Sequence, residues 1–173
     1  MFESFLSAIT HEKLKGLAVH WNQARGLRPM PSWKDINPRD IAAQLPIAWS
    51  FAYHASDNTF IGRLAGTRIE SVVGKSFRGK NMSELFSGDE YQWLHLTCLR
   101  VVITKALHCG SGSPLSGHLM PMFGERIIMP LSTDGFLVDG LLGGTVYPDL
   151  GPTHKSPVNF YERESWFPIP IRR

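Results

Sequence analysis

The sequence predicts an α+β domain: a five-stranded antiparallel sheet with a helical cap, preceded by an N-terminal helix. Three observations predict it. Leu14, Leu17, Ala18 and Trp21 recur at helical spacing. Two β-prone segments, 47–53 and 59–65, are separated by the turn pair Asp57-Asn58. A long, strongly apolar helical pattern over 89–105 is then followed by three further strand patterns.

The first helix starts near residue 3, or at a cap on Thr10, and runs to Arg25, with Gly26 as its stop. The Pro-rich connector Arg28-Pro29-Met30-Pro31 cannot continue it. Asn37, with Pro38 behind it and Asp40 at N3, predicts a short helix that buries Ile41 and Leu45 and ends at Pro46. The segments 47–53 and 59–65 then form a hairpin. Thr67-Arg68-Ile69-Glu70 reads as a capping box opening a short helix that stops at Gly74. Asn81 or Ser83 opens a further turn of helix through Phe86.

Ser87-Gly88-Asp89-Glu90 reads as a second capping box, at the head of the longest helix. Tyr91, Trp93, Leu94, Leu96, Cys98, Leu99, Val101, Val102 and Ile103 make that helix apolar almost all round, so it needs cover on more than one side. The last three strands are expected over 107–119, 125–132 and 136–146. Asp134-Gly135 forms a hairpin turn, and Gly143-Gly144 marks a bulge or a close approach of backbone. These elements divide the chain into an N-terminal helix and connector (1–34), a central domain (35–147) and a Pro-rich tail (148–173). The tail is expected to be extended and partly mobile unless Phe160, Tyr161, Trp166 and Phe167 dock.

A chain of 173 residues buries about 70% of its unfolded surface and needs no disulfide or metal to fold. Its 43% apolar and 19% charged content is that of a folded globular protein. The net charge of +3 is scattered rather than gathered into a basic face, which argues against nucleic-acid binding. Cys98 and Cys109 form no C-x-x-C pair and fit a reducing compartment. The start Met1-Phe2-Glu3-Ser4-Phe5-Leu6 carries no signal-peptide pattern, and no run is long enough to span a membrane, so a cytoplasmic protein is expected.

Taken together, Trp21, Arg25-Gly26, Pro31, Asp35-Ile36, Pro38, Leu45-Pro46, Arg63-Leu64-Ala65-Gly66-Thr67, Gly74, Gly79, Glu125, Pro130-Leu131 and Asp134-Gly135 resemble a family of small bacterial stand-alone PAS-type proteins, mostly uncharacterised. The resemblance covers roughly residues 14–147. Trp33 and Lys34 stand where that family often has a small residue and an arginine. The resemblance implies a PAS-like fold with a cavity between sheet and helices, a sensory or protein-interaction role in signal transduction, and pairing into a homodimer. It implies no conserved chemistry and names no ligand.

The sequence carries no motif that predicts a catalytic residue, a metal site or a cofactor. The segment from Gly79 to Phe86 invites comparison with flavin-binding light sensors, but Met82 stands where those carry the reactive cysteine. His95 lies on the long helix, where the edge of a core is the commoner setting than a haem ligand. His108 and His118 lack metal-ligand spacing, and Ser111-Gly112-Ser113 is no nucleophile elbow.

The candidate ligand-binding residues are Arg63, Tyr53, Phe51, Trp93 and Met129, with Trp49 and Phe86 as further walls. Arg63 alternates with Ile61 and Ala65 on one strand face. A guanidinium on an internal face needs partners. Those partners are either an anionic ligand group or a structural pairing with Glu125, Asp35 or a helix-end carbonyl. The expected function is a non-enzymatic sensor that binds a small molecule and signals through a dimer or a partner protein. An enzyme on a cavity-bearing α+β fold, which would need a titratable pair converging in the pocket, and a basic binding module using the tail and surface lysines are the alternatives.

Overall fold

A computed structural model describes residues 1–111, 124–147 and 163–170. The helices are α1 (Phe2–Ala8), α2 (Glu12–Arg25), α3 (Thr67–Val73), α4 (Met82–Leu85) and α5 (Gly88–Thr104). The strands are β1 (Ala48–His54), β2 (Thr59–Ala65), β3 (Ala106–Ser111), β4 (Glu125–Leu131), β5 (Gly140–Val146) and β6 (Arg163–Pro168). All pairings are antiparallel, in the order β2-β1-β5-β4-β3-β6. All three cap helices are inserted between β2 and β3, as the sequence predicts.

The sheet is a central layer covered on both faces. A side chain built on Gly144 would meet Leu14 at 2.8 Å and Leu17 at 3.0 Å, so α2 lies against that face of β5. One residue earlier the face alternates. A side chain on Gly143 would collide with the Trp49 ring, on the side closed by α3, α4 and α5. The Gly143-Gly144 pair is thus a double close approach within a regular ladder rather than a bulge.

Several local expectations yield to tertiary structure. The first helix is broken into two: Ile9 and Thr10 interrupt it, and His11 Nδ1 caps α2 by accepting from Lys13 N–H. The Glu125 carboxylate accepts from the backbone N–H groups of Thr10 and His11 and from the Thr10 hydroxyl, which holds the break against β4. Residues 38–44 form turns rather than a helix, although Asn37 still accepts from Arg39 N–H. The Thr67 box does not form. Gly66 is the cap residue of α3, and Glu70 instead accepts from the Phe77 N–H. Asn81, one of the two starts expected, opens α4, and it forms a reciprocal capping box with Glu84 there.

The five-strand expectation is corrected to six. β6 pairs with β3 over six positions, from Ala106↔Pro168 to Ser111↔Arg163. Two aromatic contacts fasten it from opposite faces. Phe167 meets Phe5 of α1 at 5.6 Å, and Trp166 lies 4.4 Å from His108 and under the Arg100 guanidinium at 4.0 Å. Trp166 and Phe167 therefore dock, whereas Phe160, Tyr161 and the expected extension of β3 to Leu119 lie outside the described residues. The Asp134-Gly135 turn caps a longer connection from Leu131 to Gly140, where Asp134 Oδ1 accepts from the N–H groups of Phe136 and Leu137.

Two pieces of the sequence pattern explain each other. Gly66 packs so closely on the carbonyls of Leu45 and Pro46 that a β-carbon there would overlap them. The Leu45-Pro46 turn and the Ala65-Gly66 strand end are halves of one backbone contact, reinforced by the Gly66 N–H donating to Ala48 O at 2.8 Å.

Candidate functional site

Trp49 and Phe51 on β1, Phe77, Phe86, and Trp93 and Leu94 on α5 wall a cavity between the sheet and the cap. Ile69 of α3 closes one side, and Glu90, Arg126, Thr145 and Tyr147 supply the polar surface. Space for the centre of a water molecule is about 20 Å³, enough for one water.

The polar groups are deeply placed: Glu90 is 7% exposed and Arg126 6%. Arg126 projects from β4 because it sits opposite Thr145 and shares the cap-side face with Ile128. Its guanidinium lies over the Trp93 ring at 4.9 Å, and its Nε donates to Thr145 Oγ1 at 3.3 Å. Trp49 Nε1 donates to the same hydroxyl oxygen at 3.0 Å. Thr145 therefore joins β1, β4 and β5 at the cavity floor. Glu90 lies in the first turn of α5, where its expected capping role is absent. Its Oε1 is buried without a hydrogen-bond partner.

Burial sets the electrostatics. It pushes the Glu90 carboxyl above the usual carboxylate range, with Arg126 and Lys75 opposing. It pulls the Arg126 guanidinium down, against the pull of Tyr147, Cys98, Glu90 and Glu164. Burial also raises the Tyr147 phenol, with Arg126 opposing. The Cys98 thiol beside this cluster is pushed up to about 12 by burial, so it stays protonated and is no nucleophile at neutral pH. Among the described residues no group of three or more His, Cys, Asp or Glu could hold a metal ion.

Of the sequence-derived candidates, Phe51 and Trp93 stand on the cavity wall, as do Trp49 and Phe86. Tyr53 shares the face of Phe51 but lies beyond the cavity, against Phe60 at 5.0 Å and donating to Asn58 Oδ1. Met129 faces the other way: it shares the β4 face of Ile127, which is opposite Gly144 on the side covered by α2.

Arg63 also lies away from the cavity. The ladder between β1 and β2 skips it, pairing Ser50 with Leu64 and Phe51 with Gly62, so it occupies a bulge. Its guanidinium is 5.5 Å from the Trp33 ring and is favoured by the Asp139 charge, and Nη1 makes no hydrogen bond. The pairings expected for it do not form, because Glu125 is engaged by Thr10 and His11 and Asp35 by Arg28 and Ser32. His95 bridges α5 to the β1–β2 turn through Asn58 O at 2.9 Å.

This antiparallel sheet, with three helices inserted after its second strand and a cavity beneath them, agrees with the comparison at the level of sequence. The model of the PAS domain family matches residues 9–143. The chain belongs to the PAS domain family. No curated protein matches it. PAS domains are typically non-enzymatic sensory or interaction modules, and the match spans every cavity-lining position up to Arg126. Thr145 and Tyr147 lie just past its end, and β6 lies wholly outside it.

Arg126 and Glu90 are the functional candidates that sequence reasoning missed. A signal for Arg126 was present: a charge between Glu125 and the apolar run Ile127-Ile128, on the strand face of Ile128. Arg126 is buried and Arg63 only half-buried, so the demand that burial places on a guanidinium falls mainly on Arg126.

Proposed function

We propose that this PAS domain is a sensory module that takes a small molecule between the sheet and helices α3–α5 and signals by shifting that helical cap. The single observation that carries the reading is the unpartnered Oε1 of Glu90 on the cavity wall. A buried carboxylate oxygen without a protein donor is costly, so Oε1 calls for a hydrogen-bond donor from the cavity. The water-sized closed space fits a two-state cap: a ligand larger than water binds only the form in which α5 and Phe86 move outward, and so biases that form.

The output reading is a dimer or partner contact along α5. Leu96 (64% exposed) and Ile103 (69%) lie seven residues apart on one outward stripe of α5. The apolar face of α2 is already used against the sheet through Leu14 and Leu17.

Native mass spectrometry of the full chain, purified from its natural source, tests the reading. The expected spectrum shows one small molecule per chain, lost in an Ile69→Trp variant that fills the cavity. An identical adduct in that variant, or bare chain throughout, contradicts it.

A further inference from the structure

The opposite face of the sheet carries a second opening, away from the cavity beneath the cap. Ser111, at the end of β3, is paired with Glu125 of β4 on one side and with Arg163 of β6 on the other. The three residues stand in one row on the face covered by α1, with the outer two about 10 Å apart, which is two strand spacings. Two residues along, Cys109 and Ser165 are paired on the same face. Together they floor a groove of about 380 Å³, a volume within the range of small-molecule sites. Ala8 and Thr10, at the break between α1 and α2, form its rim, and Cys109 Sγ donates to Ala8 O at 3.6 Å.

We propose that this groove binds a free α-amino acid with an uncharged polar side chain, its carboxylate on Arg163 and its ammonium on Glu125. Among the described residues neither Glu125 nor Arg163 has an ion-pair partner. Arg163 is exposed at one edge and offers the planar fork that matches a carboxylate. Glu125 Oε2 accepts from the His11 N–H and the Thr10 hydroxyl, but Oε1 accepts only from the Thr10 N–H, which leaves an acceptor position for an ammonium. A plain anion would gain Arg163 and meet the Glu125 charge, and a plain cation the reverse. A zwitterion gains at both ends. Ser111 and Ser165 on the floor suit a polar side chain. The rim residue Thr10 and the edge residue Arg163 are exposed, so the occupant exchanges with solvent and is added back rather than carried through purification.

Calorimetric titration of the full chain with L-glutamine and L-serine tests the assignment, beside the N-acetyl derivative of each, which lacks the ammonium, and the α-amide of each, which lacks the carboxylate. At least one of the two amino acids is expected to bind saturably, one per chain, with a Kd below about 1 mM, and its two derivatives at least about tenfold more weakly. Arg163→Gln is expected to weaken the amino acid about tenfold or more and to leave it no tighter than its amide. An N-acetyl derivative as tight as the parent shows a site for carboxylates alone, and an amide as tight shows one for cations alone. Either result overturns the proposal, as does unchanged affinity in Arg163→Gln or no saturable binding of either amino acid. The comparison of derivatives needs no variant, so it decides the class even if Arg163→Gln does not fold.

Discussion

The guanidinium of Arg126, on strand β4, lies 4.9 Å over the ring of Trp93, on helix α5. This contact joins sheet to cap at the point where the cavity lies, and a helix that moves to admit a ligand must slide or break it. Arg126→Met keeps the stem and removes the stacked cation. It is expected to loosen α5, cost about 1–3 kcal/mol of unfolding free energy in a urea titration, and strip protection from α5 amides in hydrogen exchange. Unchanged α5 protection would show that the stack does not couple the two layers.

Glu90 is placed at the expense of stability. Its folded-state carboxyl is raised, so its contribution is most favourable below the unfolded carboxylate range near pH 4 and declines as pH rises through the folded value. At neutral pH, Glu90→Gln is therefore expected to stabilise the chain by about 1 kcal/mol, read as a higher urea midpoint at unchanged slope. A lower midpoint would mean that the carboxylate is structurally paired.

His108 has the opposite sign. It is fully buried, neither ring nitrogen makes a hydrogen bond, and burial, with Arg126 and Arg100 adding to it, lowers its value to about 3. The unfolded imidazole takes up a proton near pH 6.5 and the folded one does not, so stability falls as pH drops from about 6.5 toward 3. The slope from this group is at most about 1.4 kcal/mol per pH unit. His108→Leu is expected to flatten the curve of unfolding free energy against pH between 6.5 and 4.

The two thiols give a direct check on the core. Burial pushes both Cys98 and Cys109 up to about 12. Neither is expected to react with a disulfide reagent at pH 8 in the folded chain, and both are expected to react in denaturant. Rapid labelling of the native protein would contradict the packing of α5 and α1 on the sheet.

Gly143 tests the sheet-to-Trp49 contact. A β-carbon there overlaps the Trp49 ring, whose Nε1 is fixed by Thr145. Gly143→Ala is expected to destabilise by about 1–3 kcal/mol and to shift tryptophan emission, since the ring must leave the cavity wall.

Local signals were legible where the structure left them local. Asn81 opens α4 as read because it lies at a surface helix start, and the aromatic walls Trp49, Phe51, Phe86 and Trp93 follow from strand and helix periodicity. Ser87-Gly88-Asp89-Glu90 has the pattern of the same box, yet Glu90 turns into the cavity, because burial against Arg126 depends on a strand more than thirty residues away. β6 was hidden for a related reason. Trp166-Phe167-Pro168 has an edge strand's composition, but its partners, Phe5 of α1 and His108 of β3, are distant in sequence. Arg63 read as an internal charge, but a bulge opposite Ser50 and Phe51 carries it toward Trp33 and Asp139.

Hydrogen–deuterium exchange of the full chain, as purified from its natural source and after bound small molecules are stripped from it, tests the central claim most directly. The account predicts that changes in protection concentrate in α3, α4 and α5 and in the cavity-facing strands β1, β4 and β5, with α1 and α2 unaltered. Changes confined to α1, α2 or β6, or identical exchange in the two preparations, would contradict a sensing chamber beneath the helical cap.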